Sequence, residues 1–309
     1  MMGKGTYDSP YTRKDVLRRI RNNGGTARGL DLSRKVFKRG IDLSDLDLSG
    51  IILQDVWLIN AHLERSNLLV ADLQRARLWE CHLEDAVLIR TNLKYTWQSG
   101  THLEGVRLQG AKFSSETSLD DANWGRYIIG EEIIGRYDQA QHIYLRLKMW
   151  YNNAGLYDEA GKFFFREMTA KRKQFWWGGY LEWMKRRGEH VPHSLKQVLR
   201  SYPRKPFHWA WSMLLNILCG YGEKPERVVI SAAVVIFGLA VAYYFWGAFS
   251  ASSFLDKLYY SVVSFVALGY GNWAPQPIGW AKYMGAVEAV IGVFMMALFL
   301  VTFIRKMTR

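Results

Sequence analysis

The sequence is poor in cysteine, with Cys81 and Cys219 the only two in 309 residues. They stand far apart and in no metal-ligand spacing, which excludes a disulfide framework and a cysteine-built zinc site. Both read as reduced, structural thiols of a cytosol-facing protein. Acidic residues are also scarce, 28 against 41 Lys and Arg, giving a net charge of +13. The basic residues are scattered and form no nucleic-acid-binding motif, so an anionic lipid surface is the expected partner and nucleic acid is not. The opening residues, MMGKGTYDSP, lack the apolar run of a secretory signal. No nucleophile–base pairing, phosphate loop or metal cluster stands out, so no enzyme is expected, and no catalytic residue, cofactor or resident metal is assigned.

Charge itself is missing from two long stretches. Residues 228–249 carry none, and residues 283–304 carry only Glu288. Each is long enough for a membrane-spanning helix, which needs roughly 20 residues. Between them, residues 253–267 have the length and mixed polarity of a short re-entrant helix, with Ser252 or Ser253 as its N-cap. That segment runs into Gly269-Tyr270-Gly271. A loop at membrane depth must bury its backbone or line a wet cavity, because lipid offers its polar groups no partner. Glycines at 269 and 271 free the backbone to turn successive carbonyls the same way. Lys224 and Arg227 precede the first span, and Arg305, Lys306 and Arg309 follow the second, which predicts cytoplasmic N- and C-termini in a multi-pass protein of the cell (inner) membrane. A plain two-helix anchor accounts for the spans but not for the polar segment ahead of the glycines.

This arrangement resembles the pore of tetrameric potassium channels. The resemblance implies a homotetramer, potassium or other monovalent cations as the permeant ions, and a selectivity filter of Ala267, Leu268, Gly269, Tyr270, Gly271 and Asn272. The family usually has threonine where Ala267 stands and aspartate where Asn272 stands, and both departures bear on selectivity. Gly292 takes the place of the family's inner-helix hinge, with close helix packing as the other reading. Val293, Met296, Leu300 and Ile304 take cavity-lining places. Glu288, the ionisable group inside a span, is read as a hydrogen-bonding group behind the filter, with attraction of cations as the alternative.

The N-terminal half is organised differently. From Leu43 a leucine recurs every five residues through Leu93. Gln98 interrupts, and the series resumes at Leu103, Leu108 and Phe113, then slips one residue to Leu119 and Trp124. From Ala61 on, small residues dominate two positions before the leucines: Ala61, Ser66, Ala71, Ala76, Cys81, Ala86 and Thr91. A period of five fits neither a helix nor a flat strand and implies frequent turns with one large and one small side chain inside. Residues 41–124 resemble the pentapeptide-repeat family, which implies a right-handed quadrilateral β-helix with four repeats per coil. Residues 20 apart then stack about 4.8 Å apart. One such ladder is His62, His82 and His102 with Glu64, Glu84 and Glu104 beside it, read either as a proton or metal sensor or as a solvated face. Another places Arg77 between Trp57 and Trp97. Some pentapeptide proteins are acidic mimics of duplex DNA, and the excess of Lys and Arg here excludes that role.

Residues 131–200 become helical and aromatic. Tyr144, Leu147, Tyr151, Gly155, Tyr157, Ala160 and Phe164 fall at offsets that resemble a tetratricopeptide hairpin, although Lys148 and Glu167 replace its small residues. One repeat makes no solenoid, so the pair is expected to cap the β-helix or couple it to the pore. The basic and aromatic run from Lys171 to Arg187 and the stretch from Phe207 to Leu218 suit a membrane surface.

The expected whole is a multidomain membrane protein: an N-terminal segment (1–40), a β-helix of pentapeptide repeats (41–124), an α-helical linker (125–200), a juxtamembrane interfacial helix (201–227) and an α-helical two-span tetrameric pore domain (228–309). Its expected function is that of a potassium-conducting homotetrameric channel, with the repeats regulating gating through an unidentified cytoplasmic ligand or protein. A non-selective cation channel of the same fold and a non-conducting membrane scaffold are the rivals.

Overall fold

The computed structural model describes residues 3–175, 205–245, 249, 253–269 and 276–307. The chain divides into two compact units, 1–193 and 194–309.

The first unit is a coil that returns on itself every 20 residues. Parallel backbone bridges run in columns: Asp42 to His62 to His82 to His102, Asp47 to Asn67 to Val87 to Arg107, and Ile52 to Asp72 to Asn92 to Lys112. A fourth column contains strands β1 (Trp57–Ile59) and β2 (Arg77–Trp79), paired in parallel with Trp57 opposite Arg77. The leucines from Leu43 to Leu93, and Leu103 and Leu108, are buried, as are the small residues two positions ahead of them. Buried hydroxyls are satisfied by the backbone: Thr91 donates to Leu68 O at 2.7 Å and Ser66 to Leu63 O at 2.7 Å. Gln98, which interrupts the leucines, is also buried and donates to Thr96 Oγ1 at 3.0 Å.

The corners show why the period is five. From Gly40 to Gly110 every fifth residue has positive φ, and most of these, such as Asp45, Val70 and Tyr95, carry side chains. Each such residue costs roughly 1–2 kcal/mol in local conformation. The strain is offset because each corner amide from Gly40 to Arg90 finds a carbonyl in the next coil, as in Arg65 N to Glu84 O at 2.9 Å and Val70 N to Ile89 O at 2.9 Å.

The one-residue slip is seen directly, since Trp97 bridges Ser118 and His102 bridges Asn123. A second slip corrects the expected start of the coil. Asp31 bridges Ile52 and Val36 bridges Trp57, so winding begins ahead of residue 41, with Leu32 and Phe37 buried inside it. Here the spacing is one residue longer, which takes this coil out of the leucine register. Helix α1 (Arg13–Asn22) opens with a capping box in which Thr12 and Asp15 exchange hydrogen bonds, and it buries Val16. Its Arg13 donates to Asp42 Oδ1 at 2.8 Å.

At the other end a short helix α2 (Gly130–Ile133) leads to a hairpin of α3 (Tyr137–Asn153) and α4 (Tyr157–Phe175). The hairpin covers the last coil. Trp124 Nε1 donates to Tyr151 Oη at 2.7 Å, and Tyr151 Oη donates to Leu119 O at 3.2 Å. The ring of Phe163 lies 5.2 Å from that of Trp124 and 5.3 Å from that of Tyr151. The inward aromatic is therefore Phe163 rather than Phe164, which is half-buried, and Tyr157 is exposed. Lys148 and Glu167, the two departures from the hairpin pattern, pair with each other at 2.7 Å, which explains how both are accommodated. Trp176, Trp177, Tyr180, Trp183 and Lys185 to Arg187 lie outside the described residues.

The second unit contains α5 (Lys205–Cys219), a 3-10 turn (Gly220–Gly222), α6 (Pro225–Phe245), α7 (Phe254–Val266) and α8 (Ala281–Met307). Among the described residues, α6 and α8 are the helices long and apolar enough to cross a membrane. The short α7 packs between them, with Val263 and Phe265 buried. Aromatic Tyr243, Phe249 and Tyr260 form one small core with Ala281, while Cys219, Val228, Phe265 and Met295 form another.

Candidate functional site

The site is built around α7. Ser253 caps it: its hydroxyl accepts from Asp256 N at 3.3 Å, and Asp256 Oδ2 accepts from Ser253 N at 2.9 Å. The helix ends at Ala267, whose φ of 56° turns the chain out of helical geometry. Leu268 is exposed, and Gly269 has φ 84° with open space around it, so conformation rather than crowding calls for glycine there. Tyr270, Gly271 and Asn272 lie outside the described residues.

Glu288 of α8 ties the three helices together. It is fully buried, Tyr243 Oη of α6 donates to its Oε2 at 3.0 Å, and Ser261 Oγ of α7 donates to its Oε1. A carboxylate buried beside α7 is thus held by hydroxyls from both neighbouring helices. Tyr260 Oη adds a bond to Ala281 O at 3.4 Å.

Gly292 is a packing notch. A Cβ there would overlap the carbonyl oxygen of Phe265, near the C-terminal end of α7, and α8 runs on unbroken to Met307. Close approach of two backbones accounts for this glycine. The buried stripe of α8 is Ala281, Gly285, Glu288, Gly292, Met295 and Thr302. Val293, Met296, Leu300 and Ile304 are exposed on an adjacent stripe, open to water, lipid or another chain.

Two features were not read from the sequence. The turn between α5 and α6 holds a second glycine–tyrosine–glycine, Gly220-Tyr221-Gly222, with Tyr221 buried at φ 60° and its hydroxyl 3.1 Å from Ser212 Oγ. Glu223, beside it, pairs with Arg305 at the end of α8 at 3.0 Å. The sequence marks Arg305 only as a charge flanking a span, and nothing in the spacing links it to Glu223. On α5, Phe207, Trp211, Leu214 and Ile217 form an exposed apolar stripe at helical spacing, which suits an interfacial helix.

On the coil, the rings of His62 and His82 stack with centroids 4.9 Å apart, and those of His82 and His102 lie 4.7 Å apart. His62 Nδ1 meets Glu64 Oε1 at 2.9 Å, whereas Glu84 Oε1 lies 3.4 Å from both His82 and His102. Glu104 does not continue this pattern: its carboxylate occupies the space over Gly125. Arg77 stacks on Trp57 at 4.3 Å, but its second indole is Trp79 at 5.9 Å rather than Trp97. Residues two apart on a strand share a face, so Trp79 lies on the same side as Arg77. Cys81 is inert, since burial pushes its thiol up to about 12 and its Sγ donates to Leu58 O at 3.0 Å.

Comparison with known proteins agrees with this division. Residues 229–309 match the ion channel family, and residues 71–97 match pentapeptide repeats. Among solved structures, the pentapeptide repeat protein Rfr23 from the cyanobacterium Cyanothece 51142 is 30% identical over 30% of this chain and 60% of its own, with TM-score 0.27. A pentapeptide repeat protein from the thylakoid lumen of Arabidopsis thaliana is 31% identical over 32% of this chain and 64% of its own, with TM-score 0.22. One from Nostoc PCC 7120 is 22% identical over 37% of this chain and 95% of its own, with TM-score 0.26. The chain thus spans under two thirds of the first two. No match was found among curated proteins. The chain thus carries residues matched by pentapeptide repeats in its N-terminal region and a C-terminal segment matched by the ion channel family, with two helices long and apolar enough to cross a membrane.

Proposed function

We propose that the chain is one subunit of a homotetrameric potassium-conducting channel, with both termini in the cytoplasm of a cell membrane and a repeat domain that regulates gating. The observation that carries this reading is the capped helix α7, held between two apolar helices by Glu288, delivering the chain at Ala267 into Leu268-Gly269-Tyr270-Gly271. One such loop leaves its carbonyls without partners at membrane depth, and four around an axis replace the hydration shell of a monovalent cation. Exposed Val293, Met296, Leu300 and Ile304 then line the cavity below.

Ala267 modifies the reading. Its methyl group offers no oxygen to an ion at the inner end of the filter, so that site keeps carbonyl ligands from one side. Preference for potassium over sodium is lowered but retained. Purified protein in liposomes, carrying potassium flux with reversal potentials measured under bi-ionic conditions, tests both points. Flux is expected, and Ala267→Thr raises the preference for potassium. Absence of flux returns the chain to a non-conducting scaffold, and an unchanged permeability ratio in the variant removes the hydroxyl argument.

A further inference from the structure

The histidine column of the coil holds an arrangement that the channel reading does not use. Backbone bridges fix His82 and His102 on successive coils. The first ring pair of the column is nearly parallel, at 5° between planes, but the second opens to 32°. Where it opens, Glu84 Oε1 stands 3.4 Å from His82 Nδ1 and 3.4 Å from His102 Nδ1. One ligand atom from each of His82, Glu84 and His102 lies within 4.8 Å of the others.

These spacings have a chemical meaning. Zinc binds nitrogen and oxygen at about 2.0–2.2 Å in tetrahedral sites, which sets neighbouring ligand atoms roughly 3.3–3.6 Å apart. Both edges that Glu84 makes with the histidines have that length. The pair above is different, since His62 and Glu64 sit at hydrogen-bonding distance, 2.9 Å. The three side chains are between 31% and 40% exposed, so an ion reaches them from water. Next in the column, Asn123 turns its amide nitrogen to His102 Nδ1 at 3.5 Å while its oxygen accepts from Gly125 N at 2.9 Å, so it supplies no ligand oxygen.

We propose that His82, Glu84 and His102 bind a divalent transition cation of the zinc class, with its remaining coordination position open to solvent. Two imidazoles with one carboxylate suit such an ion and not calcium or magnesium, which take oxygen ligands. The ion joins two coils, so its binding stabilises the repeat domain by mass action, and protons compete with it at the imidazoles.

The test uses the purified full-length chain, stripped with a chelator and titrated with Co2+, whose visible absorption reports a four-coordinate site, and then with Zn2+ in competition. One Co2+ per chain, displaced by Zn2+ but not by Mg2+, is expected. His82→Gln and His102→Gln each weaken binding by more than about tenfold, the lower end of losses seen even for supporting groups around a metal. Glu84→Gln, which keeps the side-chain shape, does the same, and His62→Gln leaves affinity unchanged. Zn2+ raises the thermal midpoint of the parent and not of Glu84→Gln. Absence of saturable binding, or equal affinity in parent and His82→Gln/His102→Gln, overturns the proposal, as does a loss in His62→Gln equal to that in His82→Gln. Channel activity plays no part in these readouts, so the site and the pore stand or fall separately.

Discussion

The coil and the membrane unit solve the same problem, an apolar chain with backbone groups to satisfy, in opposite ways. In the coil one chain is enough. Most turns donate their corner amides to the next, and the leucines and the small residues ahead of them are buried inside. In the membrane unit, 17% and 22% of the residues in the most apolar stretches of α6 and α8 are buried. Large side chains such as Phe237, Val290 and Leu300 are left exposed. The coil buries its own apolar side chains, whereas the helices leave large apolar faces exposed, which the proposed channel would cover with lipid and further copies. What the helices do bury is limited: two small cores, the Glu288 carboxylate and the Gly292 notch.

The comparison breaks first at Gly292. Gly292→Ala places a methyl group on the Phe265 carbonyl, which cannot swing aside as a side chain would. The loss should exceed the roughly 1–3 kcal/mol of ordinary overpacking, so detergent extracts should contain no stable assembled pore on size-exclusion chromatography. The coil should survive in that variant, as judged by retained β-structure in circular dichroism.

The corresponding change in the coil is Leu78→Ala. Leu78 is fully buried on β2, and truncation there should cost about 2–5 kcal/mol, read as a lower unfolding midpoint for the repeat domain. Pore assembly in membranes should persist, because the helices do not draw on the leucine interior.

A smaller effect is expected at Glu131, fully buried where α2 meets the coil end. Its Oε1 accepts from Gln109 N at 2.9 Å, and burial, the largest influence, raises its carboxyl above the usual 4.5. With a folded value above the unfolded one, the protonated form is favoured on folding. The contribution is present below the unfolded value and lost as pH rises through the folded one. Above the folded value the ionised group therefore destabilises, and Glu131→Gln, which keeps the acceptor oxygen, should stabilise there by about 1 kcal/mol. The gain should vanish as pH falls below 4.5, which paired thermal melts at two pH values check.

What was legible in the sequence follows the same division. The leucine series and the Ser253 cap act through residue type at fixed spacing, and both appear as read. The corner residues were not legible, because the backbone sets their conformation and Asp, Arg, Val and Tyr all occupy it. The early coil was hidden by one extra residue between Val36 and Trp57. Gly292 was recognisable as special, but only the position of Phe265 decides between bending and packing. The Glu84 bridge and the Glu223–Arg305 pair depend on side-chain directions that no spacing encodes.

The claim that the membrane unit is completed by other copies of the same chain is tested most directly by the native mass of the full-length protein in mild detergent. A complex of four chains is predicted, stable when the repeat domain carries Leu78→Ala and lost in Gly292→Ala. A parent protein found only as a monomer or dimer would contradict the account, since neither surrounds a conducting axis with four loops.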